Sequence, residues 1–598
     1  MYSPYNTYSF RARMGLVIVP SGLLLIWLLI LLPLYLPNMG GSGLALPQNS
    51  LTWTIMATVV ATIWLTLPAG DRLRLRVTVT AQGTLLSILI LAIPLYYTAP
   101  QWHEAALIRW LALLGGWVFY FSLLQYPLSR VGRHVLYYAI LTATVLQALI
   151  ALLQFIVPAC VPVWLAYPVN GSRVYGVFQQ PNVLASFMAT GLALALMLFL
   201  LPTFACRHPL CERLRVTGLG GILVLFGVML VWVQSRVGWV GGAVVALALL
   251  CRFYPVAPRR TVWAAGLLAV GLLMGCFTLF QELSMEGSLR HDHVSSNHAR
   301  YTMLHDTLAM IGQKFLLGWG YGGFEYSFQH FRLMQGLSTQ GVGIARHPHN
   351  ELLLWWVEGG LTGLLGMLLL LACGLRLVMT ALRGDSAKKS RFTRPTGEAT
   401  ALCLVLLPIL LHTQTEYPFT LSAAHWAIVL LLLALLDRQA EPLSARMPVS
   451  LATAGVLRAA LPALAIPLAL MTGIGLYGNL TLTPLERHHL VTLEPARRVM
   501  AFDLWVNRER WQYDSQTHAL LTFNHTRDSR LLDGYVRWAR TYLSRRIDKN
   551  VYAAWIAIAQ FRQDPLTYRR LLQEAHTLFP ENTRFILQDS RLQQKVAI

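Results

Sequence analysis

Charge is scarce in this 598-residue chain: Asp, Glu, Lys and Arg together make up 13% of it, against 55% hydrophobic residues. A soluble domain carries roughly twice that charged fraction, so a soluble globular protein is excluded. Acidic residues are scarcer than basic ones, 27 against 48, and the formal net charge is +21. The basic residues are interleaved with apolar runs rather than massed on one face, so nucleic acid is not an expected partner. Seven cysteines are scattered singly, without metal-type spacing, so neither a disulfide framework nor a structural zinc is expected. No H-E-x-x-H or comparable ligand spacing occurs, and neither a metal nor a cofactor is expected. The first apolar run follows Arg11 and Arg13, is too long for a signal-peptide core and lacks a small-residue cleavage site. It reads as a retained span.

What is present is a series of apolar runs, about thirteen of them, most of membrane-spanning length. They start near 14, 51, 78, 104, 133, 182, 216, 237, 261, 350, 398, 419 and 451. The expected fold class is an all-α polytopic membrane protein with roughly 12–13 transmembrane helices in a lipid bilayer. Alternate connections differ in basic content: the N-terminus, 71–76, Arg130 and Arg133, 206–215, 251–260, the stretch from Arg376 to Arg394, and Arg438 with Arg446 share one side. By the positive-inside rule that side is the cytoplasm, which puts the N-terminus inside and the intervening loops on the extracytoplasmic side. Four organisational units follow: N-terminal spans over 1–281, a polar loop over 282–349, further spans over 350–479, and a tail over 480–598. The tail is charged and Trp-rich, and GYVRWARTYLSRRI, VYAAWIAIAQF and LTYRRLLQEAHTLFPEN read as amphipathic helices. They loosely suggest a tetratricopeptide-like hairpin, without a clean period of about 34 residues.

The polar loop is where chemistry is expected, because a long segment rich in Arg, His, Gly and aromatics lies between spans and ends in ARHPHN at a helix start. His349 there stands at the positive end of a helix dipole, which lowers its pKa and keeps the imidazole ready to accept a proton. Glu358, two turns further into that span, needs a partner within the membrane. Arg173, Arg236, Arg300 and Arg346 lie on the side where arginine is disfavoured. Arg236, in the QSR break, is costly so close to hydrocarbon unless it snorkels or meets an anion. Gln180 precedes Pro181 and Asn182, a helix start that Asn182 could cap; a plain loop glutamine is the competing reading. Ser296 or Asn297 could cap the helix bearing Arg300, and Glu416 and Tyr417, in the turn HTQTEYPFT, would face the same vestibule.

FQQPN, QSRVGW, GWGYGGF and HPHNELL together resemble the bacterial family of O-antigen ligases, O-antigen polymerases and protein O-oligosaccharyltransferases. The H-x-x-x-E-Y-P pattern from His412 to Pro418, with the helical tail, resembles the protein O-oligosaccharyltransferase branch. The resemblance implies transfer of a preassembled glycan from undecaprenyl pyrophosphate onto Ser or Thr hydroxyls of an exported protein such as a pilin, in a bacterial inner membrane with the active site and the tail on its periplasmic face. Ligation to lipid A core, or polymerisation of the glycan, are the alternatives within the family. The resemblance implies His349 as catalytic, Arg236 and Arg300 as pyrophosphate-binding, and Gln180 and Tyr417 at the substrates. Doubling of the glutamine leaves Gln179 beside Gln180 as a candidate, and Arg173 and Glu416 join the substrate-binding set. A polysaccharide transporter or flippase, the reading from another class, would distribute charge through the spans and often show internal repeats. Here the polar cluster lies on one face and no clear repeat is visible.

Overall fold

The structure is a computed structural model that describes residues 19–67, 74–156, 173–178, 180–286, 294–387, 397–441, 446–448 and 450–586. Arg11, Arg13, Gln179 and the basic stretch 388–394 therefore lie outside the described residues. Ten of the described helices are long and apolar enough to cross a membrane, and the protein is a multi-pass, all-α membrane protein. The other three expected segments are also helical but shorter or less apolar: Val19–Leu31, Pro47–Thr66 and Glu398–His412. A single antiparallel ribbon, Arg74–Arg76 against Arg446–Pro448, is the exception to the all-α rule among the described residues.

Helix Pro181–Leu200 is the hub. It is apolar all round, as a helix without a solvent- or lipid-facing stripe must be, and every residue from Val183 to Leu200 is buried. Helices Arg130–Ile156, Pro209–Trp232, Arg236–Phe253 and Glu398–His412 surround it. Small residues let their backbones approach: a Cβ on Gly238 would lie 2.6 Å from that of Ala185, and one on Gly191 would lie 2.9 Å from Phe226.

The basic connections gather at one end of this bundle. The ribbon brings 74–76 to 446–448, Arg438 donates to Leu124 O at 2.9 Å, and Arg215 and Arg260 reach the end of the central helix at Leu198 O and Phe199 O. His349 stands at the other end.

There the 282–349 stretch builds two helices, Val294–Gln313 and Phe324–Met334, joined by the Gly-rich turn. That turn dips against helix Glu351–Ala387 where the helix breaks at Gly360, and the two exchange backbone hydrogen bonds: Trp319 N to Val357 O, Gly320 N to Glu358 O, and Leu361 N to Leu316 O. Glu358, fully buried, has two partners. Arg109 of helix His103–Gln125 donates to Oε2 at 2.5 Å, and Phe324 N donates to Oε1 at 3.0 Å, capping the helix that begins there. The carboxylate thus fastens the loop to two spans.

The tail folds into helices Glu494–Met500, Arg508–Thr526, Ser529–Leu543, Lys549–Phe561 and Pro565–Leu578. Asp528, Asp548 and Asp564 cap the last three by accepting from backbone N–H groups of their first turns. Tyr326, Leu333 and Ile344 of the 282–349 stretch pack against the core of these helices.

Candidate active site

The site begins with a buried carboxylate. Glu416 lies in the turn after helix Glu398–His412 and is only 2% exposed, so it is not on the open vestibule wall as expected. One of its oxygens accepts from Asn182 Nδ2 at 2.7 Å and from Arg300 Nη2 at 2.8 Å; the other is 3.2 Å from His412 Nε2. Burial alone would raise the Glu416 carboxyl, but the His412 hydrogen bond and charge, with Arg300 and Asn182, outweigh it and hold the group below the ordinary carboxylate range. Asn182 does not cap its helix, because the cap position falls on Gln180. Instead its Oδ1 accepts from Ser235 Oγ at 2.7 Å and Arg173 Nη2 at 3.3 Å. Four chain segments that are distant in sequence therefore meet on one Asn–Glu pair.

Behind Glu416 runs a buried chain of hydrogen bonds. His425 Nε2 must donate to the carbonyl of Val183, at 3.1 Å, so its Nδ1 accepts from Ser422 Oγ at 2.9 Å. Ser186 lies between the two histidines, 3.3 Å from His425 Nε2 and 2.9 Å from His412 Nδ1. Ser186 Oγ also donates to Val183 O at 3.1 Å, and His412 Nε2 faces the Glu416 carboxylate.

His349 sits beside this assembly. The turn that carries it is stitched to the turn 413–417 by Glu351 N donating to Thr413 O at 2.9 Å and Asn350 Nδ2 donating to Gln414 O at 3.2 Å. Asn350 caps the helix through Leu353 N, so His349 lies just outside the first turn. Its backbone is left-handed, φ 55°, held by its own N–H donating to His347 Nδ1 at 2.9 Å. Such a conformation is uncommon away from glycine and clusters at functional sites. Tyr417 stacks on His347 at 4.4 Å and lies 6.1 Å from the His349 ring. Burial, helped by Arg300 and His347 against an opposing effect of Glu416, lowers the His349 pKa to about 4. That favours the uncharged imidazole, with burial rather than the helix end as the leading cause.

Arg236 stands at the rim. It opens helix Arg236–Phe253, and its Nη1 donates to Asn297 Oδ1 at 2.5 Å, one turn before Arg300. That helix begins at Val294, so neither Ser296 nor Asn297 is its cap. Arg346 is exposed and turned away, 3.5 Å from Glu325. Around the cluster, Gln180 Oε1, Gln234 Nε2 and His349 Nδ1 are buried atoms without a hydrogen-bond partner. Gln234 is also left-handed, with φ 48°. Orphaned polar atoms are costly unless water or a polar ligand completes their bonding. Among the described residues no group of three His, Cys, Asp or Glu side chains could hold a metal ion.

Sequence reasoning passed over Asn182, Ser235, Ser186, His412 and His425 as members of this network. Asn182, Ser235 and His412 lie inside motifs that had been singled out, and that adjacency was the available signal.

These features define a polytopic membrane protein with a polar site at one end of its bundle. Residues 221–368 match a family profile described as O-antigen ligase, 400–593 one described as virulence factor membrane-bound polymerase, C-terminal, and 174–199 one described as protein glycosylation ligase. Over 403 residues the chain is 27% identical to a general O-oligosaccharyltransferase of Acinetobacter baylyi, covering 60% of this chain and 63% of that relative. Over these segments the chain is similar to O-antigen ligases and to protein glycosylation ligases.

Proposed function

We propose that this protein is a protein O-oligosaccharyltransferase, moving a preassembled glycan from undecaprenyl pyrophosphate to Ser or Thr hydroxyls of exported proteins of the pilin type. The observation that carries the reading is the neutral, strained His349 with an unpartnered Nδ1, set beside the turn whose Glu416 holds Arg300. On this reading the site faces the periplasm, because the opposite end of the bundle carries the basic connections.

The chemistry follows from the groups present. The acceptor oxygen bonds to the anomeric carbon as that carbon's bond to the pyrophosphate oxygen breaks; the electron pair leaves with the pyrophosphate. The acceptor's proton passes to His349. Arg300 and Arg236, with Arg173 behind Asn182, stabilise the charge that grows on the leaving group. The incoming pyrophosphate also raises the basicity of His349, because a nearby anion favours imidazolium. Gln180 and Tyr417 line the approach of the two substrates. Displacement in one step inverts the anomeric configuration.

The test is expression of wild type and His349→Ala in cells holding a lipid-linked glycan, a pilin and a competent lipid A core. Glycan on the pilin, lost in the variant, is the expected result. Glycan on the lipid core alone would move the acceptor to lipopolysaccharide, and transfer undiminished in the variant would remove His349 from the chemistry. No transfer to either acceptor by well-expressed wild type would overturn the reading.

A further inference from the structure

The last spanning helix, Leu451–Arg487, is followed by a segment that returns toward the membrane. After the short helix Glu494–Met500, residues 501–507 pack back on the spanning helix at Gly475 and Gly478. A Cβ on Gly475 would lie 2.5 Å from the Val506 side chain, one on Gly478 would lie 2.8 Å from Asn507 Nδ2, and Asn507 donates to Gly475 O at 2.8 Å. From Arg487 back to Gly475 is about 18 Å along a helix axis. The returning segment is held firmly, with Asp503 and Asn507 buried and Asp503 Oδ1 accepting from Val506 N at 3.0 Å.

Its apolar side chains have no protein to cover them. Phe502 is 74% exposed, Leu504 64% and Trp505 50%. Three span ends fix their level. Asn479 donates to Leu44 O, next to the start of helix Pro47–Thr66; Arg508 pairs with Glu104 in the first turn of helix His103–Gln125; and Gly475 lies in the last apolar turns of its own span. Tyr477 and Leu470, two turns apart on one face, are both exposed where that span meets lipid. Exposed Arg498 flanks the tip, with Arg497 and Arg508 beside it in exposed ion pairs to Glu494 and Glu104.

We propose that the segment 501–506 is a lipid-binding wedge: Phe502, Leu504 and Trp505 enter the acyl–headgroup boundary of the leaflet on the His349 side, and the flanking arginines meet lipid phosphates. Aromatic and apolar residues beside arginine at span ends are what that boundary recognises. The wedge ties the tail to the bilayer at a second point beyond its covalent link.

A photoreactive phenylalanine analogue at Phe502 or Leu504, in the full-length chain reconstituted in bilayer nanodiscs of phosphatidylethanolamine and phosphatidylglycerol, tests this. Irradiation is expected to attach acyl chains at these positions several-fold more than at Phe561 or Leu566, which are also exposed but lie further along the tail. Equal lipid attachment at all four positions would overturn the proposal, as would adducts at 502 joining two protein chains instead of lipid. The analogue keeps an apolar ring at Phe502, and a monodisperse elution profile matching wild type checks the fold.

Discussion

His349 and Glu416 divide the work at the level of single residues. The pKa of His349, about 4, is below the ordinary value near 6.5, so the folded protein resists its protonation while the unfolded chain does not. Between these two values, falling pH protonates the unfolded chain first, and the folded state loses stability. The neutral base persists throughout that window. The acid limb of kcat/KM that belongs to His349 should therefore lie near pH 4, and the limb of kcat should lie higher because bound pyrophosphate raises its basicity. A kcat/KM limb near 6.5 would contradict the buried environment. His349→Ala should lower transfer about 10²- to 10⁴-fold, the usual contribution of a general base. Glu416→Gln keeps the shape but removes the charge facing Arg300. The arginine side chain is 32% exposed, so the cost is screened to about 1–3 kcal/mol in unfolding free energy. A larger effect is expected on donor KM, since Arg300 and Asn182 lose their shared anchor; an unchanged KM would show that the clamp does not position the arginine.

Among the elements, the crossing of the Gly-rich turn with the broken helix is the joint that places the 282–349 stretch. Gly318 has φ 69° and Gly360 φ 59°, and a Cβ on either would lie 2.5–2.6 Å from the backbone N of the other. Ala at either position meets both the left-handed backbone and the close approach. Each substitution should cost about 2–4 kcal/mol, seen as a lowered thermal midpoint in detergent, whereas Ala at Gly374, which has open space, should be near neutral. The apolar runs made the spans legible because hydrocarbon demands a local sequence property. The break at Gly360 was not legible, since V-E-G-G reads as ordinary helix until the partner turn is known. The same holds at the site. His349 and Arg236 stood out locally, but Arg300 did not differ from its neighbours by spacing, and Asn182 fitted the role of a helix cap. Its bonds to Ser235, Arg173 and Glu416 are tertiary, and no local pattern encodes them. In the tail, strong amphipathic periodicity revealed the last three helices; Arg508–Thr526, with a nearly all-polar first half, gave no such stripe.

For the whole molecule, the question is how the tail reaches the chemistry. Glu325 supplies the connection. It is 5% exposed, lies in the first turn of helix Phe324–Met334, and its Oε1 accepts from Ile547 N at 3.0 Å. Its Oε2 lies 3.3 Å from Arg546 of the tail and 3.5 Å from Arg346, three residues before His349. One buried carboxylate thus joins the tail, the loop helix and the segment that carries His349. Arg546 is anchored on its other side by Glu509, at 3.1 Å, so the tail holds its end of the link rigidly. Charge-assisted bonds weaken when the acceptor is neutral, and removing one partner of a buried charged pair leaves the others unbalanced. Glu325→Gln should therefore loosen the 324–349 and 546–552 segments together, seen as faster backbone hydrogen exchange in both. Transfer should fall while the pH at which His349 titrates changes little, because the groups that set its pKa do not include Glu325. Faster exchange in the tail alone, with full activity, would mean that the tail rides on the 282–349 stretch without positioning it.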